Sequence, residues 1–425
     1  MSNHPTLSFA TLGCRTNQAE TAQMIARLAD VCAVVPFPQP ADVYVINTCT
    51  VTHEADRQSR QVIRRAYRAN PDAALIVTGC AVDYHPDELA AMPGVRMIAT
   101  RDDKERIASE VAAWYERRLG AELQPSPEQT GHTRAWLKVS EGCNNRCAFC
   151  IVPQTRGPER SLEPAVLVER ARGLVSAGYQ EIVLTGTNVG MYGRDRGESL
   201  ARLLSRLMRE VPELPRWRIA SIEPIDFPDE LVAILGDPRI CPQLHLCLQS
   251  GSSRILARMR RRYNADQYRR LVERLRSVRP DLALTTDVIV GFPGEGEVDF
   301  AETLAMVAEI GFAGVHQFPF SLRAGTAAEG LDGRVDSAMI GERMARLGAT
   351  ALAAQSAWQQ GFLGREVEVL TERTPAGSSE RPGHTPHFLK VWVSAGETAP
   401  NQRWTARVER ITDGEAFATL IARRD

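Results

Sequence analysis

The sequence predicts an α/β protein in three parts: an N-terminal open α/β sheet domain over 1–118, a partial (βα)6 barrel over 134–360, and a small C-terminal β-barrel over 361–425. Three observations carry this reading. Short apolar runs at 7–11, 42–47, 74–78 and 95–99 alternate with helical patterns, as in an open α/β sheet. From Arg134 onward six strand-like runs recur, at 135–140, 181–185, 216–222, 244–248, 284–290 and 314–319. Helical stretches at 163–177, 198–210, 253–260, 264–279 and 296–311 separate most of them, and six strands make an open version of the eight-stranded barrel. After a long helix at 337–360 and the step Gly361–Gly364, the composition turns to short β runs at 366–372, 387–393, 403–411 and 415–421.

A chain of 425 residues with 44% hydrophobic content suffices for about three cores. Residues 119–133 are polar, carry Pro and Gly and show no period, so they read as a linker. Met1–Phe9 has no basic segment followed by an apolar one, and no run of about 18 apolar residues occurs. The expectation is a cytoplasmic protein with no membrane segment. A net charge of −1 gives no global signal for nucleic acid, so any RNA contact must come from local basic patches.

Nine cysteines are an odd number, and six fall on motif-like loops, which favours metal ligation over disulfides. Cys14, Cys49 and Cys80 each stand just past the carboxyl end of one of the first three strands. In a parallel sheet those ends line one edge, where such folds bind ligands, so the three thiols are expected to converge. The competing reading is three unrelated buried thiols. Cys32, Cys241 and Cys247 lack this placement and read as structural.

The second set is denser. In Glu141-Gly-Cys143-Asn-Asn-Arg-Cys147-Ala-Phe149-Cys150 three thiols are spaced C-x3-C-x2-C on a loop after a strand whose faces alternate Ala135, Leu137, Val139 against Trp136, Lys138, Ser140. Three cysteines cannot close a tetrahedral zinc site. An iron–sulfur cluster with three protein thiolates, by contrast, leaves one iron open to a cofactor. A zinc knuckle and three unconnected thiols remain the alternatives.

The other strand ends of the barrel carry polar or glycine-rich loops: Thr185-Gly186-Thr187-Asn188, Glu223-Pro224, Gln249-Ser250-Gly251-Ser252 and Gly291-Phe-Pro-Gly-Glu295. No Gly-Lys-Ser/Thr follows Gly291–Gly296, which argues against a nucleotide triphosphatase. Arg57, Arg60, Arg64 and Arg68 form one helical stripe, and Arg254, Arg258, Arg260, Arg261 and Arg262 crowd nine residues. Each group reads either as a solvated face or as a phosphate contact. Phe388, Trp392 and Trp404 read as core of the small barrel rather than as stacking platforms.

The C-x3-C-x2-C loop with Phe149 before its last cysteine resembles that of the radical S-adenosylmethionine enzymes. With Cys-Arg-Thr-Asn-Gln-Ala-Glu-Thr at 14–21, Val-Ile-Asn-Thr-Cys-Thr-Val-Thr at 45–52, Gln-Ser-Gly-Ser at 249–252 and Met-Arg-Arg-Arg-Tyr at 259–263, nearly the whole chain resembles the methylthiotransferases of that superfamily. The branch it is most similar to acts on threonylcarbamoyladenosine beside the tRNA anticodon. The resemblance implies two [4Fe-4S] clusters, an auxiliary one on Cys14, Cys49 and Cys80 and a radical-generating one on Cys143, Cys147 and Cys150. It implies S-adenosylmethionine, with Phe149, Pro153, Thr185, Gly186, Glu223, Gln249, Ser250, Ile289 and Gly291 lining its pocket. The terminal barrel would be a TRAM domain, and Arg260, Arg261, Arg262, Lys390 and Arg403 would contact RNA. The partners implied are a tRNA anticodon stem-loop, a low-potential electron donor and a sulfur source.

No side-chain acid or base is expected to carry the reaction, because an aromatic ring C–H is not acidic enough and a carbon radical must be made. Fe–S potentials reaching about −700 mV suit that task. Two departures from the family pattern stand out: Phe320 where Tyr is frequent, and an irregular insert at Thr374–Pro386. The alternatives are methylthiolation of isopentenyl-adenosine in tRNA or of a ribosomal-protein aspartate. From another class comes an RNA-binding protein with structural metal centres, which a content of about eight irons per chain would exclude.

Overall fold

The computed structural model describes residues 6–28, 32–100, 103–107, 110–111, 133–375 and 377–424. Except for residue 133, the linker expected at 119–133 lies outside them, as does the end of the N-terminal domain, 112–118. Contacts divide the chain into two compact units: one of 1–131, 142–144 and 150–158, the other of 132–141, 145–149 and 159–425.

The first unit is a five-stranded parallel sheet in the order β2-β1-β3-β4-β5. Its elements are β1 (Thr6–Thr11), α1 (Arg15–Leu28), β2 (Ala33–Val35), β3 (Val43–Thr48), α2 (His53–Ala69), β4 (Ala74–Gly79), α3 (Cys80–Tyr84), α4 (Pro86–Ala90), β5 (Val95–Ala99) and the short α5 (Val152–Arg156). Every residue of β3 and β4 is buried, as expected of central parallel strands covered on both faces. Tyr44, Ile46, Leu75 and Val77 pack into one layer, and Val43, Val45 and Ile76 into the other. Cys32 is buried in that second layer. β2 is a correction: three residues are too few to show a period, yet they place the reversal of strand order between β1 and β3, where open α/β sheets bind ligands.

In the second unit six parallel strand positions run in chain order. They are β6 (Ala135–Lys138), β9 (Glu181–Thr185), β10 (Arg216–Ile219) continued by β11 (Ser221–Ile222), β12 (Gln243–Leu246), β13 (Ala283–Val290) and β14 (Gly314–Pro319). A small antiparallel pair, β7 (Ser140–Glu141) and β8 (Arg160–Ser161), brackets the cysteine loop in sequence. Among the described residues no pairing joins β6 to β14, so the barrel is open. The helices are α6 (Pro164–Ser176), α7 (Leu200–Glu210), α8 (Asp229–Ile234), α9 (Ser253–Arg258), α10 (Ala265–Val278), α11 (Glu297–Ile310) and α12 (Ser337–Gln360). α7 starts where Ser199 caps Arg202 N, and α10 where Asn264 and Gln267 form a reciprocal capping box. α8 escaped the sequence reading because six residues hardly show a helical period. No described helix is long and apolar enough to cross a membrane.

The C-terminal strands close a five-stranded barrel in the order β15-β16-β17-β19-β18: β15 (Glu366–Thr371), β16 (Glu380–His384), β17 (Lys390–Ser394), β18 (Arg403–Thr412) and β19 (Glu415–Arg424). The insert read as irregular contains β16, whose Pro382 and Gly383 disguise a strand. The core here is aliphatic, built on Val367, Val369, Leu389, Val391, Val393 and Val408. Phe388, Trp392 and Trp404 are half-buried outside it, contrary to the expectation of core positions.

Phe388 instead helps to seat the small barrel on the amino-terminal ends of the larger barrel's strands. Its φ of 70° turns the ring so that the Arg134 and Arg218 guanidiniums lie 5.0 and 4.9 Å from its centroid. Beneath it Glu181, fully buried, accepts from Arg218 Nε at 2.6 Å and Arg216 Nη1 at 3.3 Å. Arg216 also reaches Glu368 of β15 at 2.8 Å, and Arg218 donates to Pro386 O at 2.9 Å. Glu372 accepts from Arg134 at 2.7 Å and lies 2.7 Å from His384 Nδ1. Burial alone would raise both carboxyls, but the cationic partners outweigh it: Arg218 and Arg216 bring Glu181 down to about 2, and His384 and Arg134 do the same for Glu372.

Removing one member of such a buried network leaves the others unpaired, so Glu181→Gln is expected to cost about 3–5 kcal/mol in urea unfolding of the second unit. Because both folded-state values lie below the ordinary 4.5, the carboxylates stabilise the fold above pH about 4.5 and lose that contribution as pH falls toward 2. A Glu372→Gln protein should therefore show a flatter acid-unfolding profile than the parent.

Candidate functional site

The carboxyl ends of β1, β3 and β4 deliver Cys14, Cys49 and Cys80 to one edge of the first sheet. Two close approaches make this possible. Gly13 has φ +90°, and a Cβ there would lie 2.7 Å from Cys49 Sγ, so the Cys14 loop rests directly on Cys49. Gly79, with φ +96°, would drive a Cβ to 2.3 Å from Thr48 O.

Side-chain hydrogen bonds tie the same loops together. Asn17 Nδ2 donates to Leu12 O at 2.7 Å and Thr48 O at 2.9 Å, and Asn47 Nδ2 returns a bond to Asn17 O at 2.9 Å. Ser59 of α2 holds the Cys49 peptide at both ends, accepting from its N at 3.2 Å and donating to its O at 2.9 Å.

A buried cation completes this edge. Arg156 of α5, 4% exposed, donates to Asn17 Oδ1 at 2.6 Å and Glu20 Oε1 at 3.0 Å, and Lys104 pairs with the same Glu20. Asn17 and Glu20 stand in the 14–21 stretch, but sequence reading missed Arg156 and Lys104, since nothing in their spacing links them to the thiols. Cys14 is exposed, Cys49 and Cys80 are buried, and none of the three is in a disulfide. Burial pushes the Cys49 thiol up to about 12, with Cys80 and Cys14 adding to it; burial raises Cys80 as well, against the pull of Arg156. Three convergent free thiols with a cation beside them fit the donor set of a thiolate-ligated cluster. Of the arginine stripe on α2, Arg57 pairs with Glu54 and Arg60 with Glu88.

In the C-x3-C-x2-C loop Cys143 and Cys150 fall in the first unit and Cys147 in the second. Cys143 N bonds Gly157 O at 3.1 Å. In the second unit Ala148 is clamped on both sides: its N donates to Met259 O at 2.9 Å and its O accepts from Ala328 N at 2.8 Å. Phe149 stands edge-on to Phe292, which in turn packs 5.2 Å from Phe320, so the Phe found at 320 belongs to an aromatic support under the loop.

Arg261 is where the structure departs from the expected RNA contact. Its guanidinium is 2% exposed, sits 3.1 Å from Cys147 Sγ and pairs with Glu223, which leaves it no surface for a phosphate. The left-handed backbone at Arg260, φ 58°, turns the chain inward at that point, whereas the Arg260 side chain stays exposed and Arg262 is half-exposed, 3.7 Å from Asp226. Burial raises the Cys147 thiol and the Glu223 carboxyl, and Arg261 opposes both.

The remaining expected pocket residues of the second unit lie at or near the carboxyl ends of its strands. Thr185 is buried at the end of β9, with Gly186 packed against Ser140. Gln249, at φ 67°, bridges to β13 through Asp287 O at 2.8 Å and Ile289 N at 3.0 Å. Ser250 is fully buried against Thr303, Gly291 N donates to Glu295 at 2.8 Å, and Pro153 opens α5 in the first unit. In the small barrel Lys390 lies over the Trp392 ring and 2.9 Å from Glu415, and Arg403 is 3.7 Å from Glu368.

Residues 137–307 match the radical SAM superfamily, and residues 6–100 match the uncharacterized protein family UPF0004. The chain is 40% identical to the threonylcarbamoyladenosine tRNA methylthiotransferase MtaB of Bacillus subtilis, over 91% of this chain and 90% of the relative. The protein of the same name from Thermotoga maritima is 36% identical over 86% of each chain. A tRNA-2-methylthio-N(6)-dimethylallyladenosine synthase of Parafrankia is 38% identical over 85% of this chain and 76% of its own. Among solved structures, the radical S-adenosylmethionine methyltransferase TsrM of Kitasatospora setae shares the fold, with a TM-score of 0.55 at 14% identity over 76% of this chain and 77% of its own.

The unequal burial of the first three thiols is directly measurable. In metal-free protein at mildly alkaline pH, iodoacetamide should alkylate Cys14 first and Cys49 and Cys80 at least about tenfold more slowly, since only an accessible thiolate reacts. Peptide mass spectrometry gives the rates, and equal labelling of all three would contradict the geometry.

Proposed function

The chain belongs to the methylthiotransferases of the radical S-adenosylmethionine superfamily, and from that premise we propose that it replaces a ring C–H of threonylcarbamoyladenosine, beside the tRNA anticodon, with a C–S–CH3 group. The observation that carries the choice of substrate is the 40% identity over nine-tenths of both chains to a relative of that activity. The 38% identity to a dimethylallyladenosine synthase keeps isopentenyl-adenosine as the second reading, to be separated by assaying tRNA bearing one modification or the other.

In this reading Cys143, Cys147 and Cys150 hold a [4Fe-4S] cluster with one open position, and Cys14, Cys49 and Cys80 hold a second. When bound, these groups supply reductive cleavage of S-adenosylmethionine to a carbon radical and a source of sulfur. The residues of the chain position, shield and balance charge. Arg261 and Glu223 place a buried guanidinium and carboxylate beside Cys147, where a zwitterionic cofactor would find complementary charges. Gln249, Ser250, Thr185, Gly186, Ile289, Gly291, Phe149 and Pro153 are proposed to shape that pocket. Arg156 and Lys104 offset the negative charge that three thiolates would bring to the first unit. Arg260, Arg262, Lys390 and Arg403 are the proposed RNA contacts, on the anticodon stem-loop. The reaction also needs a low-potential electron donor and a sulfur source, and it places the enzyme with tRNA in the cytoplasm.

Two substitutions test the division of labour. Cys147→Ala should abolish deoxyadenosine formation under reducing anaerobic conditions, and persistent formation would refute the ligand assignment. Cys49→Ala should keep deoxyadenosine formation and lose the methylthio-nucleoside; normal levels of that product in digested tRNA would show that this thiol set does not deliver sulfur.

A further inference from the structure

The interior of a (βα) barrel is ordinarily filled by branched aliphatic side chains, and here one sector is polar instead. Along β12 and its continuation Leu244, Leu246 and Leu248 enter the apolar core, so Gln243, His245, Cys247 and Gln249 alternate onto the inner face. On β13 Leu284, Val288 and Val290 face the core and Thr285, Asp287 and Ile289 the interior. His245 Nδ1 lies 3.1 Å from Thr285 Oγ1 and its Nε2 3.2 Å from Asp287 Oδ1. The His316 ring of β14 is 5.5 Å away. Among the described residues the hydrogen-bond partner of Asp287 Oδ2 is the Cys247 thiol, at 3.9 Å, and the side chain is 27% exposed. A thiol is a weak donor, and the partial exposure of Asp287 leaves this oxygen within reach of a stronger one.

This pair sits just below the cysteine rim. Tyr263 Oη donates to Cys247 O at 2.7 Å and accepts from Arg261 Nε at 3.1 Å, and the same guanidinium is 3.1 Å from Cys147 Sγ. Cys247, Tyr263 and Arg261 thus link Asp287 to Cys147 of the proposed cluster loop.

We propose that His245 and Asp287 hold the target purine, Asp287 Oδ2 accepting the hydrogen bond of the N–H that an N6-substituted adenine retains and His245 fixing the carboxylate's orientation. This rests on the tRNA methylthiotransferase reading. The ligand class follows from the chemistry: a carboxylate oxygen needs a donor, the exocyclic N–H is the ring system's own donor, and an apolar occupant would leave the oxygen unpaired. His245, Cys247 and Asp287 also place their ligand atoms within 4.8 Å of one another, as a metal site would. Burial, with Glu223 and Asp287 adding to it, raises the Cys247 thiol.

The test uses the reconstituted full-length enzyme with Asp287→Ala and His245→Gln. Deoxyadenosine formation without tRNA and the affinity for the anticodon stem-loop should stay within about twofold, because neither the thiols nor the phosphate contacts are touched. Methylthio-nucleoside formed per deoxyadenosine should fall at least about tenfold, since a base no longer held in register leaves cleavage uncoupled from transfer. Unchanged coupling would overturn the proposal. So would a mononuclear metal ion carried by the parent protein and lost from Asp287→Ala. If Asp287→Ala does not fold, Asp287→Leu, which keeps the bulk and removes both acceptor oxygens, takes its place under the same criteria. A parent enzyme that cleaves S-adenosylmethionine yet methylthiolates no N6-modified tRNA would instead defeat the functional reading itself.

Discussion

The strands that carry both cysteine sets run parallel to their neighbours in each unit, and that single constraint decides where the chemistry can be. Parallel strands put all their carboxyl ends on one edge, so residues far apart in sequence meet there without any long-range design of loops. Cys14, Cys49 and Cys80 are separated by whole strand–helix units and still share an edge. The same rule collects Thr185, Glu223, Gln249 and Gly291 on the rim of the larger barrel. Short polar side chains such as Asn17, Asn47 and Ser59 then convert proximity into fixed geometry.

Electrostatics separates the two ends of the barrel. At the rim a buried arginine, Arg261, stands beside a thiol and a carboxylate, poised for ligands of either charge. At the floor the charges are matched among themselves: Glu181, Arg216, Arg218, Glu368, Arg134 and Glu372 leave little for an outside ligand. One end is built to bind, the other to hold a second barrel in place.

Much of this was legible in the sequence because period and spacing survive without coordinates. The strands of both sheets, the long α12 and both cysteine sets follow from apolar runs and from what stands just after them. Elements too short for a period were invisible, as β2 and α8 show, and so was β16, whose Pro382 and Gly383 read as a turn. Arg261 was misplaced for a different reason. Composition groups it with Arg260 and Arg262, but the left-handed turn at Arg260 buries one guanidinium and leaves its neighbours outside. Arg156, Glu20 and Lys104 meet only in space. The polar inner face of β12 and β13, by contrast, could have been found from the alternation of Gln243, His245 and Cys247 with leucines.

The floor of the larger barrel has a consequence for synthesis. Glu181, Arg216 and Arg218 are made early, while Glu368, Glu372, His384 and Phe388 belong to the last sixth of the chain. Until those residues leave the ribosome, two guanidiniums share one carboxylate at an uncovered strand end. The larger barrel thus cannot complete its own base until the strands that carry these residues have been made.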